Sequence, residues 1–131
     1  MKTIEDYKTL PEGQTFDRKS ARIEPKALAI IMVAMANADG GTIAIGIEDD
    51  GSVSGIDEYY NHINDLLRVP FDYCIPSINV HPQRIACIDK YGKENHILIL
   101  DVEQSSAMHS TTADDSFYRV GDKSKKLSFD D

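Results

Sequence analysis

The clearest hydrophobic pattern in the chain is a nearly continuous apolar run from Thr42 to Ile47. A strand with one solvent-exposed face alternates apolar and polar residues, whereas a strand covered on both faces does not. The run therefore predicts an interior strand. Gly40 and Gly41 precede it and supply the positive φ that ends a helix. The acidic turn from Glu48 to Gly51 follows it, at a position where functional side chains are expected.

Three further patterns predict elements in front of this strand. Apolar residues recur at intervals of three and four from Pro25 to about Ala38, which predicts a helix that begins with Pro25 and packs against a sheet. Residues Gln14 to Lys19 alternate as in a strand. The apolar residues of segment 1–11 have helical spacing and predict a short helix that ends before Pro11.

The second half of the chain has mainly strand patterns. The predicted elements are a return strand over Val53–Ile56, a helix over Asp57–Val69 with Asp57 as its N-cap, strand pieces over Ser77–His81 and Arg84–Asp89, a buried strand over His96–Val102, a loop over Glu103–Asp115, a strand over Phe117–Val120 and a loop over Gly121–Lys126. These strands are expected to form a meander beside two main helices.

Length and composition indicate the number of domains and the cellular compartment. With 131 residues, 41% of them apolar, the chain is expected to form one domain around one core. No apolar window is long enough for a membrane span, and the first residues have no signal-peptide core, so the protein is expected to be cytoplasmic. Cys74 and Cys87 are expected to be free thiols, because disulfides are rare in that compartment.

The formal charge of -8 counts against a protein that binds nucleic acid over its whole surface. Any polyanion site must therefore be local. The most basic segment runs from Arg119 to Lys126 and contains four cations and one anion, Asp122. Charge alone leaves two interpretations open, a solvated tail and a phosphate-binding patch.

Several common catalytic and nucleotide-binding motifs are missing from the sequence. There is no G-x-x-x-x-G-K-[ST] segment, and the glycines at positions 40, 41 and 46 do not form G-x-G-x-x-G. The four histidines, His62, His81, His96 and His109, have neither H-E-x-x-H spacing nor a zinc-type pairing with cysteine. Phosphate-loop ATP binding and catalytic zinc are therefore unsupported.

Three segments carry motifs in a recognisable order. Glu12 to Lys19 resembles an E-x-x-x-[apolar]-E-F-K opening, Ala34 to Asp49 a centre of the form A-x-A-N-x-x-G-G-x-[apolar]3-G-[apolar]-x-D, and Tyr118 to Gly121 a Y-x-R-x-G close. Together they resemble the Schlafen AlbA-type (divergent Alba) domain, a family formerly grouped with divergent AAA-type ATP-binding domains. The resemblance covers residues 12–128, leaving 1–11 as an N-terminal helical extension and 129–131 as a tail.

The resemblance implies an α+β fold, an Alba-like two-layer sandwich with a mixed sheet of about five to six strands and two main helices. It also implies a DNA-binding module of a transcriptional-regulator-like protein, with DNA or RNA as partner, homodimerisation, no membrane contact and no cofactor needed for binding. The residues expected to bind nucleic acid are Lys19, Asn37, Gly40, Gly41, Arg119, Lys123, Lys125 and Lys126. For Asn37, hydrogen bonding to free backbone groups at the helix end is the alternative role.

Two alternative functions accompany this resemblance. Some relatives are nucleases with three carboxylates and a divalent metal, and the matching positions here are Glu12, Asp17 and Asp49, which would bind Mg²⁺ or Mn²⁺. This chain has Asp17 where the family usually has Glu, and Arg18 where it usually has Phe, which changes the expected metal geometry. The other alternative is a nucleotide (ATP)-binding or dimerisation accessory domain.

Overall fold

Four α-helices and eight strands follow one another along residues 2–128, the part of the chain that the computed structural model describes. The elements are α1 (Ile4–Thr9), β1 (Phe16–Lys19), α2 (Pro25–Asn37), β2 (Gly41–Ile45), α3 (Tyr60–Leu67), α4 (Val69–Asp72), β3 (Cys74–Ile75), β4 (Val80–Ile88), β5 (Glu94–Val102), β6 (Ser110–Thr111), β7 (Phe117–Val120) and β8 (Lys123–Lys126). The predicted tail, 129–131, lies outside the described residues. No helix within 2–128 is both long enough and apolar enough to span a membrane.

The main sheet has four strands in the order β1-β2-β5-β4. β1 runs parallel to β2, and the other two pairs are antiparallel, so the sheet is mixed. β3 pairs with β6, and β7 pairs with β8, in two small separate sheets. The predicted α+β class is confirmed. β2 lies inside the main sheet and the side chains of Ile43, Ile45 and Ile47 are buried, which confirms the interior strand.

Different helices pack on the two faces of the main sheet. Ile43 and Ile45 belong to one core with Leu28, Met32 and other residues of α2. On the opposite face, Tyr7 of α1 stacks on the ring of Phe16 and joins a second core. α2 also packs against β7, which places this helix between the main sheet and the β7–β8 hairpin. Most of α2 is therefore buried, as its broad apolar stripe predicted.

Gly40 makes the sharp corner between α2 and β2. Its φ is +76°, a value that a residue with a side chain rarely adopts. Its N–H donates to the carbonyl of Met35 at 2.7 Å, which closes the end of the helix. A Cβ at this position would lie only 2.8 Å from the carbonyl oxygen of Val102 on β5. The glycine therefore allows both the turn and the close approach of β5.

Two predicted boundaries are wrong. The strand pieces 77–81 and 84–89 are one strand, β4, which continues through Pro82. A proline is tolerated there because β4 is an edge strand, where one side of the backbone needs no partner. Asp57 is not the N-cap of the second main helix, which starts at Tyr60 after a 3-10 turn. Its carboxylate instead lies 3.0 Å from Nδ1 of His96.

Two segments predicted as loops contain strands. Lys123–Lys126 forms β8 although it has no apolar alternation, because β7 provides its pairing partner. Ser110–Thr111 forms β6 within the predicted loop 103–115 and pairs with β3. Conversely, the predicted return strand over 53–56 is reduced to a single bridge between Ile47 and Val53.

Candidate functional site

Arg119 connects the β7–β8 hairpin to the start of β1. Its side chain is only 1% exposed. Nε donates to the carbonyl of Gly13 at 3.1 Å, Nη1 donates to Oγ of Ser124 at 3.2 Å, and Nη2 donates to the carbonyl of Phe16 at 3.4 Å. Nη2 also lies 3.2 Å from Oδ2 of Asp17. Each guanidinium nitrogen thus has a partner within the protein, and the hairpin is fixed to the main sheet.

These contacts bear on the predicted phosphate contact of Arg119. Groups inside the protein take four of its five N–H donors and the side chain is buried, so it has little to offer a phosphate. Its positive charge is also neutralised locally, because Asp17 is itself buried and lies beside it. The role of Arg119 in this structure is therefore structural, and the local basic charge predicted from the sequence is smaller by one.

Asp17 also lies beside Glu12, and each carboxyl group shifts the pKa of the other. Burial, reinforced by Glu12, raises the pKa of Asp17 to about 6. The interaction with Asp17 lowers the pKa of Glu12, which accepts a hydrogen bond from the backbone N–H of Arg18. Lys19 Nζ lies 3.3 Å from Asp17 Oδ1. Glu12, Asp17, Lys19 and Arg119 therefore form one charged cluster, here called the clamp.

The β7–β8 hairpin has two different faces. Residues directly opposite each other in an antiparallel pair share a face. Arg119 pairs with Ser124, and both point inward. Tyr118 pairs with Lys125, and Val120 with Lys123, on the opposite face. All four of these residues are exposed. They are called the outer face of the hairpin below.

The outer face retains two cations. Among residues 2–128, neither Lys123 nor Lys125 forms an ion pair, whereas Lys126 Nζ lies 3.2 Å from Oδ1 of Asp115. Asp122 is the acidic residue in the turn between the strands. The local excess of positive charge is therefore modest. Two exposed apolar side chains, the aromatic Tyr118 and the aliphatic Val120, lie on the same face as these lysines.

Comparison with known proteins identifies the family of this chain. The family model described as Schlafen, AlbA_2 matches residues 12–128. The chain belongs to the Schlafen, AlbA_2 family. This membership supports a function related to nucleic acid.

The fold also resembles part of a solved structure. The crystal structure of the DIP2311 protein from Corynebacterium diphtheriae resembles this chain with a TM-score of 0.56 and 24% identity. The similarity covers 87% of this chain and 25% of that protein, so the present chain corresponds to about a quarter of it. At this identity the similarity shows the fold alone. A search of curated proteins found no match.

Two motifs of the Schlafen, AlbA_2 domain meet at the clamp. Glu12, Asp17 and Lys19 come from the opening motif, and Arg119 comes from the closing motif. Arg18, the position at which the opening motif departs from the expected Phe, makes structural contacts. Its guanidinium donates to the carbonyls of Tyr7 and Leu10 and lies 5.1 Å from the centre of the Phe16 ring. Arg18 thereby holds α1 against the sheet.

Three residues of the central motif have structural contacts. Asn37 donates to the carbonyls of His109 and Phe117 at 3.0 and 2.9 Å, and its Oδ1 accepts from the N–H of His109 at 2.8 Å. Its partners are backbone groups of distant segments and not the free groups at the helix end that the prediction named. Gly40 uses its N–H inside the protein, and a Cβ at Gly41 would lie 2.8 Å from the sulfur of Met35. Both glycines are thus required by packing.

The three carboxylates expected to bind a metal are not brought together. Glu12 and Asp17 are adjacent, but Asp49 is exposed in the turn after the β2 region. Within residues 2–128, no group of three or more His, Cys, Asp or Glu side chains is arranged to hold a metal ion. Mg²⁺ and Mn²⁺ need several converging oxygen ligands. Glu12, Asp17 and Asp49 do not fit a shared ion in this arrangement.

Sequence reasoning did not place Tyr118 and Val120 on one face with Lys125 and Lys123. The strand over 117–120 was predicted, and its alternation already places these two residues on one face. The missing information was the pairing with β8, because residues 121–126 were expected to form a loop. Without that pairing, the two lysines could not be placed beside the aromatic ring.

Proposed function

We propose that this Schlafen, AlbA_2 domain binds nucleic acid through the outer face of the β7–β8 hairpin. The observation that supports this proposal is the cross-strand pairing of Lys123 with Val120 and of Lys125 with Tyr118. Lysines supply charge for phosphate contacts, and an aromatic ring supplies a surface for a base or sugar. Within the proposal, the domain is the DNA-binding part of a cytoplasmic transcriptional regulator.

The clamp contributes to this function by fixing the hairpin. Arg119 holds the inward face of the hairpin to β1, so the outer face does not have to be ordered when the ligand arrives. Preorganisation of this kind lowers the entropic cost of binding. Arg119 and Asp17 are therefore proposed as positioning residues, and Lys123 and Lys125 as the residues that contact phosphate.

Two phosphate contacts imply weak binding with a modest salt dependence. For two contacts on duplex DNA, the slope of log K against log salt is about −1.8, which corresponds to roughly tenfold weaker binding between about 50 and 200 mM salt. A homodimer would present two such faces and raise the affinity through effective concentration. Light scattering measures whether the dimer forms.

The first test is a binding titration against double-stranded DNA, single-stranded DNA and transfer RNA at several salt concentrations. The double variant Lys123→Ala/Lys125→Ala should weaken binding to all sequences and flatten the salt dependence. The matched control is Lys90→Ala/Lys93→Ala, which removes the same charge from the exposed β4–β5 turn. Equal losses in the two double variants would refute the proposal, because they would show that only net charge matters.

The same titration with and without Mn²⁺ separates binding from cleavage. The proposal expects intact nucleic acid under both conditions. Cleavage that depends on Mn²⁺ and disappears in Glu12→Gln would instead favour the nuclease alternative, and would require Glu12, Asp17 and Asp49 to rearrange.

A further inference from the structure

The outer face combines its two lysines with two exposed apolar side chains. Tyr118 is 39% exposed and Val120 is 57% exposed. Directly paired residues on an antiparallel hairpin have Cβ atoms about 4.5 to 5.5 Å apart. The Lys125 side chain therefore starts beside the Tyr118 ring, and the Lys123 side chain starts beside Val120. Each apolar side chain therefore has a lysine as its cross-strand neighbour.

We propose that this face selects single-stranded nucleic acid and that Tyr118 is the residue that makes the selection. An unpaired base stacks on the Tyr118 ring while Lys125 contacts a neighbouring phosphate. This inference rests on the proposed function, and it adds the class of nucleic acid that the hairpin prefers. Stacking accepts any base, since every base has a π face.

The spacing along β7 supports an unstacked ligand. Strands rise about 3.3 Å per residue, so the backbone positions of Tyr118 and Val120 are about 6.6 Å apart. Neighbouring bases along one strand of a duplex are separated by about 3.4 Å. Two adjacent bases that rest on these two side chains must therefore be drawn apart. An extended single strand permits this separation, whereas a duplex covers each base face with the next base pair.

The chain contains a matched aromatic–lysine pair outside the proposed interface. Tyr91 is 74% exposed, and Lys90 Nζ lies 5.4 Å from the centre of its ring. This pair belongs to the β4–β5 turn, on a different part of the fold from the hairpin. Tyr91→Ala therefore removes an exposed tyrosine beside a lysine without changing the outer face.

The test is fluorescence anisotropy with one labelled DNA oligonucleotide, used as a single strand and as the corresponding duplex at the same salt concentration. The wild type should bind the single strand more tightly. Tyr118→Ala should weaken binding to the single strand by about 5-fold to 150-fold, the range given by stacking of one base on an aromatic side chain. Tyr118→Phe and Tyr91→Ala should bind like the wild type, and duplex binding by Tyr118→Ala should change less than about twofold.

Two results would overturn the inference. One is equal affinity of the wild type for the single strand and the duplex. The other is an equal loss on both ligands in Tyr118→Ala. If Tyr118→Ala does not fold, Tyr118→Leu keeps an apolar side chain without the ring, and it should show the same selective loss. Binding that is unchanged in Lys123→Ala/Lys125→Ala would instead refute the proposed function itself.

A single-stranded RNA of the same sequence extends the test. Stacking involves the base and does not depend on the sugar, so Tyr118→Ala should weaken binding to RNA by about the same factor as binding to single-stranded DNA. A loss on DNA without a loss on RNA would contradict the stacking mechanism.

Discussion

Replacing Arg119 with Met removes the guanidinium from the clamp and keeps an unbranched side chain. Four groups lose their donor, namely the carbonyls of Gly13 and Phe16, Oγ of Ser124 and Oδ2 of Asp17. The most costly consequence concerns Asp17, which is 3% exposed and loses its buried positive partner.

The expected loss follows from that burial. Removing one partner of a buried ion pair costs about 3 to 5 kcal/mol, because the other charge remains buried. Lys19 Nζ still lies 3.3 Å from Oδ1 of Asp17 and compensates part of that charge, so a loss near the lower end of this range is expected. A protein of this size has a free energy of unfolding of about 5 to 15 kcal/mol, so the loss would be a large fraction of the total. Adding Asp17→Asn to Arg119→Met should recover part of it, with a coupling energy of about 1 to 3 kcal/mol between the two positions.

Urea denaturation monitored by circular dichroism measures these differences at neutral pH. The matched control is Arg22→Met. Arg22 Nη2 lies 2.9 Å from Oε1 of Glu48, but the arginine side chain is 66% exposed. Exposed ion pairs contribute about 0 to 1 kcal/mol to the free energy of unfolding, so Arg22→Met should have nearly the same urea midpoint as the wild type.

A loss below about 1 kcal/mol in Arg119→Met would refute the reasoning, because it would give the buried pair the energy of an exposed one. Unchanged stability together with lost nucleic-acid binding would restore Arg119 as a phosphate contact.

Three further predictions concern the same framework. Because the pKa of Asp17 is raised from 3.8 to about 6 in the folded protein, its contribution to stability is fully present below the lower value and is lost as the pH rises through the higher one; urea midpoints should fall between about pH 4 and pH 6 and level off above, and an equal slope in Asp17→Asn would contradict this. Gly40→Ala places a Cβ 2.8 Å from the carbonyl oxygen of Val102, so it should reduce the unfolding free energy by more than Gly92→Ala, where φ is also positive but the space is open; equal losses would exclude the close approach as the cause. Arg18→Ala should speed amide hydrogen exchange in α1 but not in α2, and unchanged exchange in α1 would show that Arg18 does not hold that helix.

The pH prediction involves both carboxyl groups of the clamp. Glu12 has a lowered pKa, so its own contribution is present above its unfolded pKa and lost as the pH falls through the lowered value. That window ends near pH 4.5, the unfolded pKa of Glu12. The comparison of wild type with Asp17→Asn between about pH 5 and pH 6 therefore reports mainly on Asp17.

The elements that the sequence predicted well are those in which burial decides the pattern. The run from Thr42 to Ile47 is apolar at nearly every position because β2 is covered on both faces. The helix from Pro25 has a broad apolar stripe because it lies between the main sheet and the hairpin. In these segments the local residue pattern reflects the three-dimensional environment, so a single sequence is enough to predict the strand and the helix.

The candidate site was harder to predict because it depends on partners far apart in the chain. Arg119 lies in a basic segment, where a cation is usually solvated, and its buried partner Asp17 belongs to β1. Nothing local in the sequence indicates this pairing. The lysines of β8 likewise have no strand pattern of their own, and only their register with β7 places Lys125 opposite Tyr118.

The proposed function requires that the outer face of the hairpin contact nucleic acid while Arg119 remains buried. A two-dimensional ¹H–¹⁵N NMR titration with a short single-stranded oligonucleotide locates the contact residue by residue. The largest chemical-shift changes should fall on Tyr118, Val120, Lys123 and Lys125, and the side-chain Nε–H signal of Arg119 should stay in place. Changes centred on the turn from Glu48 to Gly51, or a large shift of the Arg119 side-chain signal, would rule out this interface.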